Sequence, residues 1–109
     1  MAGDKERETG QGGLDLVVEE AQPKLRKPPL YQVVLLNDDY TTMEFVVEVL
    51  ESIFHKQPAE AFRIMMMVHT QGKGLCGVYP FEVAETKVDA VLESARSHGF
   101  PLRAAMEPE

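Results

Sequence analysis

An apolar run, Val33-Val34-Leu35-Leu36, stops at three consecutive short polar residues, Asn37-Asp38-Asp39, and a helix-type pattern opens just after them. Valine and leucine in such a run read as a strand. Asn and Asp accept backbone hydrogen bonds locally and favour turns for that reason. The chain must therefore pass from strand to helix within a few residues. A turn of this composition gathers one amide and two carboxylates at a single point, beside apolar side chains of the following helix. That chemistry suits a group that is cationic at one end and apolar at the other. Ordinary turn formation would account for part of the pattern, but three such residues plus Thr41 exceed what one helix cap needs.

The rest of the chain places this junction in a small domain. From Leu30 the order reads β-α-α-β-α-β. A strand is predicted over Tyr31 to Leu36. Thr41-x-x-Glu44 has the form of a capping box that opens a helix. The apolar positions Val46, Val49/Leu50 and Ile53/Phe54 follow at helical spacing. Pro58 is placed to start a second helix, which carries Phe62, Met65, Met66, Val68 and His69 and is stopped by Gly72. Leu75 to Tyr79 forms a short strand. A third helix runs from about Glu82 to His98, with Gly99 as its C-cap and Pro101 beyond it. Leu102 to Met106 supplies the last strand. Residues 1–27 hold four glycines and many charges but no aromatic residue, and read as a flexible tail. The apolar patch Leu14, Leu16, Val17 and Val18 within it is read as a short docking segment. The folded body is expected over 28–109.

Charge and cysteine content exclude several classes. With 18 acidic against 11 basic residues, the net charge is −7. No basic stripe offers a nucleic-acid footprint, and a polyanion would be repelled. Cationic partners are favoured instead. A single cysteine, Cys76, excludes an internal disulfide and fits a reducing compartment. No apolar run approaches the roughly 20 residues of a membrane span, and no signal-peptide core is evident. A cytoplasmic protein without membrane contact is expected.

No reaction centre stands out. His55, His69 and His98 lack metal-ligand spacing with the nearby carboxylates. Gly72-Lys73-Gly74 lacks the spacing of a phosphate loop. Cys76 sits in an apolar strand, where a thiol is inert. An acid–base pair of Asp38 and His69 would have no nucleophile beside it. The three methionines Met65-Met66-Met67 cannot share one helix face, so at least one faces something other than the core. Glu82 to Lys87 reads by itself as a solvated helix start.

Several ordered stretches together resemble the ClpS family of protease adaptors: Pro28-Pro29-Leu30-Tyr31, Leu36-Asn37-Asp38-Asp39-Tyr40-Thr41, Met43-Glu44-Phe45-Val46, Val68-His69, Gly72-Lys73, Cys76-Gly77-Val78 and Glu82-Val83-Ala84-Glu85-Thr86-Lys87. The resemblance spans Lys27 to Glu107. It implies an α+β fold, with a three-stranded antiparallel sheet packed against three helices. It also implies a non-enzymatic N-degron adaptor with no cofactor and no metal, expected to be a monomer. Such an adaptor binds proteins that begin with Leu, Phe, Tyr or Trp and hands them to the N-terminal domain of the ClpA unfoldase, which feeds the ClpP protease. By this resemblance Asn37, Asp38 and His69 hold the α-amine, and Asp39 and Thr41 border the mouth. The side-chain pocket maps onto Met43, Val46, Met65, Val68 and Leu102. Glu82 and Lys87 map onto the ClpA docking surface, and the tail serves delivery. Thr42 departs from the family pattern, where proline is common, as do Thr70 and Pro80-Phe81; Thr42 bears on how the helix starts.

The physics of the implied ligand is consistent with these residues. An α-ammonium offers three donors, and Asn37, Asp38 and a neutral His69 offer three acceptors. Each charge-assisted bond nets roughly 1.5–3 kcal/mol, and burial of a Leu- or Phe-sized side chain adds about as much. The gross sum is comparable with the roughly 8 kcal/mol of micromolar binding. Two other readings of the same residues stand beside this one. One is a structural module, since the element order also resembles the C-terminal domain of the bacterial ribosomal stalk protein. The other is a small hydrolase using Asp38 and His69.

Overall fold

The structure, a computed structural model, describes residues 28–109. The expectations for residues 1–27, including Leu14 to Val18, lie outside the described residues. Six elements follow in the expected order: β1 (Leu30–Leu36), α1 (Met43–Ser52), α2 (Pro58–Gln71), β2 (Lys73–Pro80), α3 (Phe81–His98) and β3 (Arg103–Pro108). The sheet order is β2-β1-β3, antiparallel on both sides, so the first strand is central. The predicted strand limits need correction: β2 starts at Lys73 rather than Leu75, and β3 starts at Arg103 rather than Leu102. The cause is pairing. Leu36 aligns with Lys73 on one side and Arg103 on the other, so polar residues are drawn into the ladder by the apolar centre.

One core joins the sheet face bearing Val33 and Leu35 to all three helices. Phe45, Val46, Val49 and Leu50 of α1, Ile64, Met65 and Val68 of α2, and Ala84, Val91 and Ala95 of α3 fill it. Val34 points to the opposite face, in register with Leu75 and Ala105, and is buried too. A bulge between Val33 and Val34 leaves Cys76 as the extra residue of β2. Its thiol lies in the core, where burial pushes its pKa up to about 12.

The start of α1 differs from the capping box inferred above. The N-cap is Thr42, whose Oγ1 accepts from Phe45 N at 3.1 Å. Thr41 is not the N-cap; its side chain is turned to Asp38, with the hydroxyl donating to Oδ2 at 2.7 Å. Thr42 adopts the extended backbone of an N-cap (ψ 152°), and its side chain caps in a place where proline could not.

Candidate functional site

The end of β1 and the end of α2 are tied together. Asn37 N donates to Gly72 O at 2.9 Å. Gly72 terminates α2 in the left-handed conformation, φ 93°, with its own N–H donating to Val68 O at 3.1 Å. Glycine carries this φ without the Cβ penalty. The two links bring the last turn of α2, with Val68 and His69, beside the turn after β1. A second close approach seats α2 on the sheet. A methyl added to Gly74 would stand 2.8 Å from Val68 Cγ2 and 3.1 Å from the Ile64 carbonyl oxygen.

The Asp38 carboxylate organises the turn itself. Its Oδ1 accepts from Tyr40 N at 2.8 Å and Thr41 N at 2.7 Å, and its Oδ2 accepts from the Thr41 hydroxyl at 2.7 Å. Partial burial pushes the carboxyl pKa up. The Thr41 hydroxyl, the Thr41 and Tyr40 amides and the Arg103 charge outweigh that push and hold it below its ordinary value. The group is therefore an anion at neutral pH. A carboxylate has about four acceptor positions. Three are used, which leaves one on Oδ2 for a further donor.

These constraints create a cleft with a cavity volume of about 230 Å³, open at its mouth. That is smaller than the roughly 300–1,000 Å³ of sites for drug-sized ligands and is on the scale of a single large side chain. Its rim carries Asn37, Asp38, Asp39, Thr41 and His69; its walls are Met43, Val46, Met65 and Val68. Val46, Met65 and Val68 are buried, whereas Met43 at the first turn of α1 is 41% exposed. Nine of the ten residues expected at an amine site and side-chain pocket thus converge. Leu102 does not. It is 2% exposed, belongs to the core cluster and is not among the lining residues. It precedes β3, and its apolar character is spent on packing.

Glu82 and Lys87 lie on a different surface, a shallow groove between α3 and the end of α1 that also includes Ser52, Ile53 and His55. Glu82 is exposed in the first turn of α3. The Lys87 ammonium donates to Ile53 O at 2.6 Å and lies 6.0 Å from the centroid of Phe54 and 5.8 Å from that of Tyr79. It therefore also closes the end of α1, a role the spacing did not reveal. Arg103 was missed as well: it reaches the Asp38 field only because β3 pairs with β1, which no local motif signals. Among the described residues no group of three His, Cys, Asp or Glu could hold a metal, and no helix is long and apolar enough to cross a membrane.

The family model described as ATP-dependent Clp protease adaptor protein ClpS matches residues 26–105. The chain belongs to the ClpS family. Its relatives include the ATP-dependent Clp protease adapter protein ClpS of Caulobacter vibrioides (strain NA1000 / CB15N), 54% identical over the full length of both chains. The ClpS of Phenylobacterium zucineum (strain HLK1) is 51% identical, also over both full lengths. Among solved structures, Agrobacterium tumefaciens ClpS2 bound to L-phenylalaninamide superposes with a TM-score of 0.74 and 41% identity, covering 76% of this chain and all of that one. As a ClpS adaptor the chain is a non-catalytic regulator of the Clp protease, which sets aside both the hydrolase and the ribosomal stalk readings.

Proposed function

We propose that the cleft captures the first residue of protein substrates and that the adaptor presents them to the ClpA unfoldase. The α-ammonium is held by the Asn37 side-chain oxygen, the spare lone pair of Asp38 and a ring nitrogen of His69. A large apolar side chain, that of Leu, Phe, Tyr or Trp, fills the space walled by Met43, Val46, Met65 and Val68. Asp39 and Thr41 border the mouth. The observation that carries this reading is the joining of an anionic, acceptor-rich rim and an apolar interior in one cleft. L-phenylalaninamide, the ligand of the related A. tumefaciens ClpS2, supports it. That molecule has a free α-amine, a benzyl side chain and an uncharged carbonyl end, the chemistry of a peptide's first residue. Glu82 and the Lys87 region serve as the docking surface for the ClpA N-terminal domain, and residues 1–27 serve as a tail used in delivery, with 28–109 as the adaptor core.

Titration with peptides that differ only in their first residue tests the reading. Leu, Phe, Tyr and Trp bind. Ile and Val are rejected, because branching at the β-carbon meets Met43 at the mouth. A clash separates Leu from Ile more sharply than their near-equal transfer energies can. Met43→Ala admits Ile and Val. An Ile/Leu affinity ratio unchanged by Met43→Ala contradicts the role of Met43.

A further inference from the structure

A second apolar groove adjoins the cleft. It lies between α1 and α2, includes about 640 Å³ with the solvent above it, and is lined by Met43, Glu44, Val47, Phe62 and Met65. Met43 and Met65 belong to both linings, so those two side chains form the partition between groove and cleft. Phe62 is 57% exposed and Met43 41% exposed, so apolar surface stands open on both sides. Glu44, at the start of α1, adds a carboxylate that takes part in no ion pair among the described residues.

We infer that this groove is a subsite for the third residue of the captured chain, and that it favours a side chain with a long apolar stem and a cationic tip. The inference rests on the reading of the cleft given above. With the α-ammonium on the Asn37–Asp38–His69 rim and the first side chain inserted, a chain that leaves over Met43 crosses the wall that cleft and groove share. In an extended chain alternate side chains point the same way and stand roughly 6.4–6.8 Å apart. The second side chain then faces solvent, and the third descends on the far side of the Met43 partition. An arginine or lysine there lays its methylenes on Met43, Val47 and Phe62 while its charge stays at the wet edge near Glu44. A guanidinium over the Phe62 ring gains a cation–π contact as well. A glutamate at the same position brings like charges together.

The test is a titration of the full-length protein with peptides that begin Leu-Ala-Ala, Leu-Ala-Arg, Leu-Arg-Ala and Leu-Ala-Glu and are otherwise identical. Arg at position three binds about three- to tenfold tighter than Ala there, the scale of partly burying one side chain. Arg at position two gains less, and Glu at position three binds weakest. Phe62→Ala abolishes the advantage of position three over position two and leaves Leu-Ala-Ala affinity unchanged. Glu44→Gln reduces the Arg preference in the same way. Equal gains from Arg at positions two and three in the native protein overturn the inference, since they report only attraction by the acidic molecule as a whole. So does a position-three preference that survives both substitutions. Loss of the parent reading looks different: the whole series then fails to bind, or binds equally well when N-terminally acetylated.

Discussion

At the scale of single residues, the Asp38 carboxylate holds the turn with three of its acceptor positions and lines the cleft as well. Turn formation and the proposed amine binding call for the same short polar side chains, which is why the Asn37-Asp38-Asp39 run stood out in the sequence. Its depressed pKa has a consequence for stability. A carboxyl held below its ordinary value binds its proton less readily in the native state than in the unfolded chain. It stabilises the fold above about pH 4 and loses that contribution as the pH falls through the lowered native value. Urea midpoints measured from pH 6 down to 3 should fall less steeply below about pH 4 for Asp38→Asn than for the native protein. Parallel curves would mean that the carboxylate is not the acid-sensitive link. Leu102 marks the limit of reading at this scale. Its side chain type fits a pocket wall equally well, and only its place before β3 assigns it to the core.

At the scale of elements, periodicity located all three helices and all three strands, but their ends were set by partners that periodicity cannot show. Two adjacent threonines precede α1, and either could cap it. Thr42 is the one that caps, while the Thr41 side chain is turned to Asp38. The link from Asn37 to Gly72 and the approach of β2 to α2 at Gly74 are likewise long-range in sequence. They put the helix turn carrying His69 beside the amide and carboxylate after β1. The Gly74 contact yields a prediction. Gly74→Ala inserts a methyl against Val68 and the Ile64 carbonyl, and overpacking of this kind typically costs about 1–3 kcal/mol. Because Val68 is a wall of the cleft, the substitution should weaken peptide binding as well as lower the denaturation midpoint. A loss of stability with unchanged peptide affinity would show that the wall adjusts independently of the β2–α2 contact.

At the scale of the whole molecule, the cleft and the Glu82–Lys87 surface share no lining residue, so capture and docking can be separated by substitution. Lys87 is a poor probe because its removal also strips the Ile53 carbonyl of its donor. Glu82→Ala is the cleaner variant. It should leave peptide affinity unchanged, weaken association with the ClpA N-terminal domain, and slow degradation of a Leu-initiated reporter by ClpA and ClpP. Deletion of residues 1 to about 20 should spare both peptide affinity and docking yet abolish stimulated degradation. Full degradation with the shortened adaptor would show that the tail is a passive leader. The proposed division of labour between surfaces comes from the family resemblance, since Glu82 to Lys87 alone reads as any solvated helix start. The net charge of −7 sets the background to all of these encounters and favours cationic ligands at low salt.

The central claim is that a free α-amine is recognised together with the side chain beside it. Its most direct test is one pair of Leu-initiated peptides, identical except that one is N-terminally acetylated, titrated into the full-length protein. Acetylation removes the charge and two donors, and it leaves the Asn37–Asp38–His69 rim against a neutral amide. The free peptide should bind, and the acetylated one should lose at least about tenfold in affinity for each charge-assisted bond forfeited. Equal affinity of the two forms would contradict the account.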